Sequence, residues 1–408
     1  MCILPICMHL TCWILTVKSV SRRFGLLRRS LEKCVKVYKQ RLEPAVLLIL
    51  LNNDSSVKEE RSMAKKSMNF QKMTSRPEET YIDVRVPAST YHLFNAVFEH
   101  EILTGDDLNI VNARMAESMS VNAELYPSPA EYAEQGAPKG SFTPGILPPS
   151  DFYPDAPHPY WLYIPAAYDP SEPANLAVFL DGPMYTMNIQ TREPLPYPDT
   201  LNVLDNLICG KKIPPTIALF ISFGLKGPGQ PLMGFNEGEV NRSFEYDTPS
   251  DWHSRFITEE VIPQVLSGYA ISDDPADHVI IGMSSSGVAA FSTAWFKPDF
   301  FGNVIAASPS FANIRGGIVW PSAIRIHEPK PFRFFAAVGK HDINNYFGSW
   351  YTANLDVAEA LKFKGYDYRY YVSEAGHSMQ VNRFILPQGL QWAFCGREAA
   401  FDHMDRIM

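Results

Sequence analysis

Seven apolar runs of five to eight residues punctuate the chain from residue 160 onward: Tyr160–Ile164, Leu176–Leu180, Thr216–Phe223, His278–Gly282, Asn303–Ala307, Phe332–Val338 and Tyr368–Val372. Each is too short for a buried helix. They lack the in–out alternation of a half-exposed strand, so they read as strands buried on both faces. Longer amphipathic stretches lie between them, with helices expected at Ser254–Leu266, Ser285–Trp295, Tyr351–Lys364 and Leu386–Phe394. Strands alternating with helices imply an α/β fold, a mostly parallel central sheet covered by helices on both sides. In such sheets functional groups gather at the carboxyl ends of the strands.

The remainder of the 408 residues divides by texture. Residues 1–80 carry 15 Lys/Arg against 7 Asp/Glu, while residues 81–408 carry 21 against 37. A body that acidic repels polyanions, which excludes nucleic acid as its partner. The basic segment is a different matter. Residues 22–41 place Phe24, Leu27, Leu31, Val35 and Tyr38 at helical spacing among basic residues, as in an interfacial membrane helix or a targeting segment. The apolar stretch before it, Cys2–Val17, is short of a bilayer span, and its charges follow rather than precede it, unlike a secretory signal.

The expected organisation is a basic extension over 1–80, poorly ordered or targeting, then a linker or helical extension over 81–135 with a helix near Leu108–Met119. A catalytic domain over 136–396 and a tail over 397–408 follow. Residues 136–159, rich in Pro and Gly, are expected to lack regular structure. Cys209 and Cys395 are read as free thiols and no Cys/His spacing suggests a metal, so the expected compartment is cytoplasmic. The N-x-S sequons at Asn53 and Asn241 matter only in a secreted chain. Nothing in the sequence assigns an oligomeric state.

The most informative stretch is His278-Val-Ile-Ile-Gly-Met-Ser-Ser-Ser-Gly287, an apolar strand that runs into small residues and then an Ala-rich helix. A serine on such a strand-to-helix turn has its hydroxyl exposed above the sheet, and small neighbours let strand and helix pass closely. The pattern G-x-S-x-G is met at Gly282 and Ser284, with Ser286 in the last Gly position. The backbone N–H of Ser285, at the helix N-terminus, is placed to hold an oxyanion.

Two further strand ends supply partners. Asp342 follows the run at Phe332–Val338, 58 residues after Ser284, and His377 follows Tyr368–Val372, 35 residues further on. A hydroxyl is a poor nucleophile at neutral pH, so a histidine must take its proton and a carboxylate must hold that imidazole in one tautomer. Ser, Asp and His in that order, each after its own strand, is the chain order of α/β-hydrolases. Glu374 and Asp356 are alternatives for the acid, but Glu374 lies three residues from His377 and Asp356 falls mid-helix. A second oxyanion donor is expected from the turn after Leu176–Leu180, at Gly182, although Pro183 beside it has no N–H.

These blocks, with GAPKG (136–140), YWLYIPAAYDP (160–170), AVFLDGPMY (177–185), NRSFEYD (241–247), KPDFFGNVIAASPSF (297–311), GYDYRYYVSEAGHS (365–378) and LPQGLQWAF (386–394), resemble the enterochelin-esterase-like branch of the α/β-hydrolases over Gly136–Phe394. The resemblance implies an α/β-hydrolase fold with Ser284 as nucleophile, His377 as base and Asp342 as acid. It departs from the family at Ser286 and at the proline after Asp181-Gly182.

The function expected is cleavage of a small-molecule carboxylic ester or lactone through an acyl-enzyme, with no metal or organic cofactor. An acyltransferase or a non-catalytic binding protein on the same fold are the alternatives. Tyr185, Trp350 and Met379 adjoin the catalytic blocks and are candidates for lining an acyl pocket. Arg242 either pairs with Glu245 to brace the site or meets a substrate anion.

Overall fold

A period-2 pattern written on fully buried strands divides the core in two. In the strand Asn175–Leu180, Leu176, Val178 and Leu180 enter one hydrophobic cluster, while Ala177 and Phe179 enter the other. Side chains of successive strand residues point to opposite faces, so every position of this strand is core. The computed structural model describes residues 117–188, 193–225, 237–345 and 347–407. The basic segment at 22–41, Asn53 and the helix expected at 108–119, apart from its last three residues, lie outside the described residues.

Nine strands form the main sheet: β1 (Ser141–Leu147), β2 (His158–Ile164), β3 (Asn175–Leu180), β4 (Thr216–Ile221), β5 (His278–Met283), β6 (Asn303–Ala307), β7 (Arg333–Gly339), β8 (Tyr368–Ser373) and β9 (Met404–Ile407). Their order is β1-β2-β4-β3-β5-β6-β7-β8-β9. From β4 to β8 all neighbours are parallel, and antiparallel strands flank them at both edges. The helices α1 (Asp199–Cys209), α2 (Glu237–Asp247), α3 (Ser285–Phe296), α4 (Trp320–Ile326), α5 (Trp350–Lys364) and α6 (Met379–Cys395) cover the two faces. One cluster joins the sheet to α3, α4 and α5, the other to α1 and α6. This is the α/β-hydrolase architecture, and all seven expected strands are present within a few residues.

Three expectations need correction. Residues 136–159 are not devoid of regular structure, because β1 crosses them and Pro144 pairs opposite Trp161. A proline is tolerated there because β1 is an edge strand with one unpaired side. The tail over 397–408 is not separate from the sheet, since β9 pairs antiparallel with β8. The last helix begins at Met379 rather than Leu386 and carries Pro387 in its interior, so its N-terminus lies directly after His377 and Ser378.

The helix expected from Ser254 spans Trp252 to Leu266 with a π-helical turn at Phe256–Val261, just ahead of Pro263. Proline cannot donate to the preceding turn and clashes with it, and a widened turn accommodates both defects.

Cys209 and Cys395 are free and exposed. Asn241 is buried, with its side-chain amide donating to the carbonyl of Gly224 and to Glu245, so in this fold it is closed to glycosylation. No helix among the described residues is long and apolar enough to cross a membrane.

Candidate active site

Ser284 sits between β5 and α3 with φ 61° and ψ −124°, a conformation that L-residues rarely adopt. The turn is fixed from several sides. The N–H of Ser284 donates to Ala307 (2.9 Å), and its carbonyl accepts from Gly287, Val288 and Ser310. Gly282 is required by close approach, because a Cβ there would lie 2.1 Å from the carbonyl oxygen of Ser286. Ser286 is fully buried, and its hydroxyl donates to the Met283 carbonyl (2.7 Å) while accepting the Met283 N–H (3.0 Å). The departure from G-x-S-x-G therefore braces the turn. Ser284 alone of the three serines is partly exposed.

Asp342 lies three residues past the end of β7 and His377 four past the end of β8, two strands that are parallel neighbours. His377 Nδ1 and Asp342 Oδ1 are 2.7 Å apart and both side chains are almost entirely buried. The same carboxylate oxygen accepts the N–H of Ile343 at 2.7 Å. A carboxylate on Nδ1 leaves Nε2 as the free basic nitrogen. Glu374, the alternative acid, is instead paired with Lys340 on the surface.

Trp350 bridges the histidine to the serine. Its ring meets that of His377 edge-on, centroids 6.3 Å apart, and its Nε1–H donates to the Ser310 hydroxyl at 3.0 Å. Ser310 Oγ is 3.3 Å from Ser284 Oγ, and no hydrogen bond joins Ser284 to His377 in this arrangement. Ser310 was missed by sequence reasoning. It stands in the block at 297–311, but nothing in its spacing separates it from the two other small residues, Ser308 and Pro309.

Among the described residues nothing accepts the N–H of Ser285, as expected for the first residue of a helix. The second expected donor is not available. The N–H of Gly182 is taken by the Ile221 carbonyl at 2.8 Å, that of Met184 by Asp181, and those of Tyr185 and Thr186 by Gly182. A Pro-initiated helical turn over Pro183–Thr186 consumes its own donors, which the sequence pattern did not separate from an oxyanion loop.

Arg242 does not pair with Glu245. Its guanidinium grips Asp181 at the end of β3, with Nη2–Oδ2 2.6 Å and Nε–Oδ1 2.9 Å. Asp181 itself has φ 56°. Glu245 points the other way, accepting from Asn241 and the Gly224 N–H and meeting His158 at 3.1 Å. Tyr185 is buried, stacked edge-on against Phe179, and its hydroxyl accepts from Asn382 at 3.2 Å. Met379, half-buried at the start of α6, packs with the same cluster.

Asp247, at the end of α2, is buried with neither oxygen in hydrogen-bond geometry. Burial pushes its carboxyl up to about 6, against the opposing pull of Arg242, the hydroxyls of Ser243 and Ser285, and Arg315. No cluster of His, Cys, Asp and Glu able to hold a metal ion occurs among the described residues.

Fold and elbow together define a class, the α/β-hydrolase fold with a serine held on the strand-to-helix turn. Within it, the family model described as Putative esterase matches residues 156–403, and the chain belongs to that family. No curated protein matches the chain by sequence. Among solved structures it is similar to enterochelin esterase from Shigella flexneri, with 19% identity, TM-score 0.50, and coverage of 66% of this chain and 62% of that one. It is also similar to a ferulic acid esterase from the anaerobic fungus Anaeromyces mucronatus, with 13% identity, TM-score 0.50, and coverage of 68% and 98%. At these identities the likeness is one of fold. The chain spans about three fifths of the length of the Shigella protein.

Proposed function

We propose that this protein is a serine esterase that cleaves a small-molecule carboxylic ester or lactone, with Ser284 as nucleophile, His377 as base and Asp342 as the acid that orients it. The observation that carries the reading is the buried Asp342–His377 pair at 2.7 Å, linked through Trp350 and Ser310 to a serine in left-handed geometry.

In the reaction, the Ser284 hydroxyl turns from Ser310 toward His377. Nε2 takes its proton as Oγ bonds to the ester carbonyl carbon. The carbonyl oxygen becomes an oxyanion held by the Ser285 N–H, and Asp342 stabilises the imidazolium. Collapse of the intermediate breaks the bond to the leaving alcohol, which departs with the proton from His377. Water, deprotonated by His377, then releases the acid and regenerates the serine. Membership of the Putative esterase family supports this chemistry.

A second reading, a hydrolase-fold binding protein, is favoured by one observation: the turn after β3 has no N–H left for an oxyanion. Turnover of short-chain p-nitrophenyl esters by the full chain separates the two. The esterase reading predicts hydrolysis that falls at least about 10³-fold in Ser284→Ala. Turnover unchanged by that substitution would exclude Ser284 as the nucleophile, and a folded wild-type protein with no turnover of any ester would favour the binding protein.

A further inference from the structure

Residues 117–126 lie upstream of the family-matched segment, yet they hydrogen-bond directly to the loop that carries His377. The Ser118 hydroxyl, on a residue only 6% exposed, accepts the backbone N–H of His377 at 3.0 Å and donates to the carbonyl of His341 at 2.8 Å. One hydroxyl thus ties the residue before Asp342 to His377 itself. The contacts continue along the segment. Val121 accepts the N–H of Gly376 at 3.1 Å, and Asn122 donates to the Glu374 carbonyl at 2.7 Å. Tyr126, fully buried, accepts the Glu374 N–H at 2.8 Å and donates to the His403 carbonyl at 2.6 Å.

Three of the four N–H groups from Glu374 to His377 are therefore satisfied from this one segment. Gly376 has no room for a side chain, since a Cβ would sit 1.9 Å from the Ser118 carbonyl oxygen. The loop that carries His377 is shaped to receive the strap.

We propose that Ser118 is a positioning residue, which fixes His377 against Asp342 by bridging their two loops, so that a segment outside the esterase-like domain is part of the working site. The inference rests on His377 acting as the base. Removing the partner that the buried His377 N–H and the His341 carbonyl share lets the two loops move independently, and small displacements of a base are costly to the chemical step.

The test compares full-length wild type, Ser118→Ala, Ser118→Thr and Ser284→Ala. Ser118→Ala is expected to lose about 10- to 100-fold in kcat with KM little changed, and Ser118→Thr, which keeps the hydroxyl, to recover most of it. The downfield proton resonance of the His377–Asp342 hydrogen bond, identified by its loss in Asp342→Asn, reports the same geometry without turnover. It should broaden or shift in Ser118→Ala and be retained in Ser118→Thr and Ser284→Ala. Should Ser118→Ala fail to fold, Asn122→Ala, which cuts the neighbouring tie to Glu374, is expected to lower kcat about 2- to 5-fold and to perturb the same resonance. Wild-type kcat and an unchanged resonance in a folded Ser118→Ala or Asn122→Ala variant would overturn the proposal, while activity surviving in Ser284→Ala would instead overturn the esterase reading beneath it.

Discussion

Ser286 stands where a glycine closes the usual turn, and its hydroxyl bonds both the N–H and the carbonyl of Met283. From sequence it read as a departure from the family; its effect depends on a rotamer that no spacing rule encodes. Asp247 is the other residue whose meaning is invisible in one dimension, because its burial against Ser243, Ser285 and two arginines comes from the packing of α2 on α3. With a folded-state value near 6 against an ordinary 3.8, the native protein keeps a proton between those values that the unfolded chain has released. Stability contributed by this group is thus present below about 3.8 and lost as pH rises through about 6. Asp247→Asn should remove that loss, making the variant more stable relative to wild type at pH 7.5 than at pH 4, by up to about 3 kcal/mol. Urea unfolding of both proteins at the two pH values measures it. His253, which burial holds down at about 4, works in the opposite sense over the same range, and the wild-type-to-variant difference cancels it.

Strands were the legible elements, because continuous apolar runs between helices have few other uses. The two strands of the main sheet that escaped are its edges. β1 carries Pro144 and Gly145 and exposes most of its side chains, and β9 is half polar, so neither shows the apolar run of an inner strand. The last helix was placed too late because Pro387 resembles a start signal, whereas Ser378 caps the true N-terminus by accepting from Gln380. Helix α2 was not expected at all, and it holds the element-scale contact of most consequence, the grip of Arg242 on Asp181. This pair anchors α2 to the end of β3, with both side chains largely buried. Removing one partner of such a pair strands the other charge. Arg242→Ala is accordingly expected to lose about 3–5 kcal/mol, read as a lower denaturation midpoint, and Arg242→Lys to recover only part of it because the bidentate geometry is gone.

At the scale of the whole molecule, Asp342 and His377, 35 positions apart in the chain, meet at the ends of two neighbouring parallel strands, and the placement of Ser284, Asp342 and His377 each after its own strand was visible in the sequence. What was not visible is the upstream segment that returns across the histidine loop, since Ser118 and Tyr126 carry no local pattern and acquire their partners more than two hundred residues away. The oxyanion turn failed for a related reason: whether an N–H is free depends on the neighbouring strand, and Ile221 takes that of Gly182. The central claim, a nucleophilic Ser284, is tested most directly by treating the folded full-length protein with a fluorophosphonate and locating the adduct by mass spectrometry. The account predicts a single adduct on Ser284, absent from Ser284→Ala and much slower to form in His377→Ala. An adduct that persists in Ser284→Ala, or none at all on the folded wild-type protein, would contradict it.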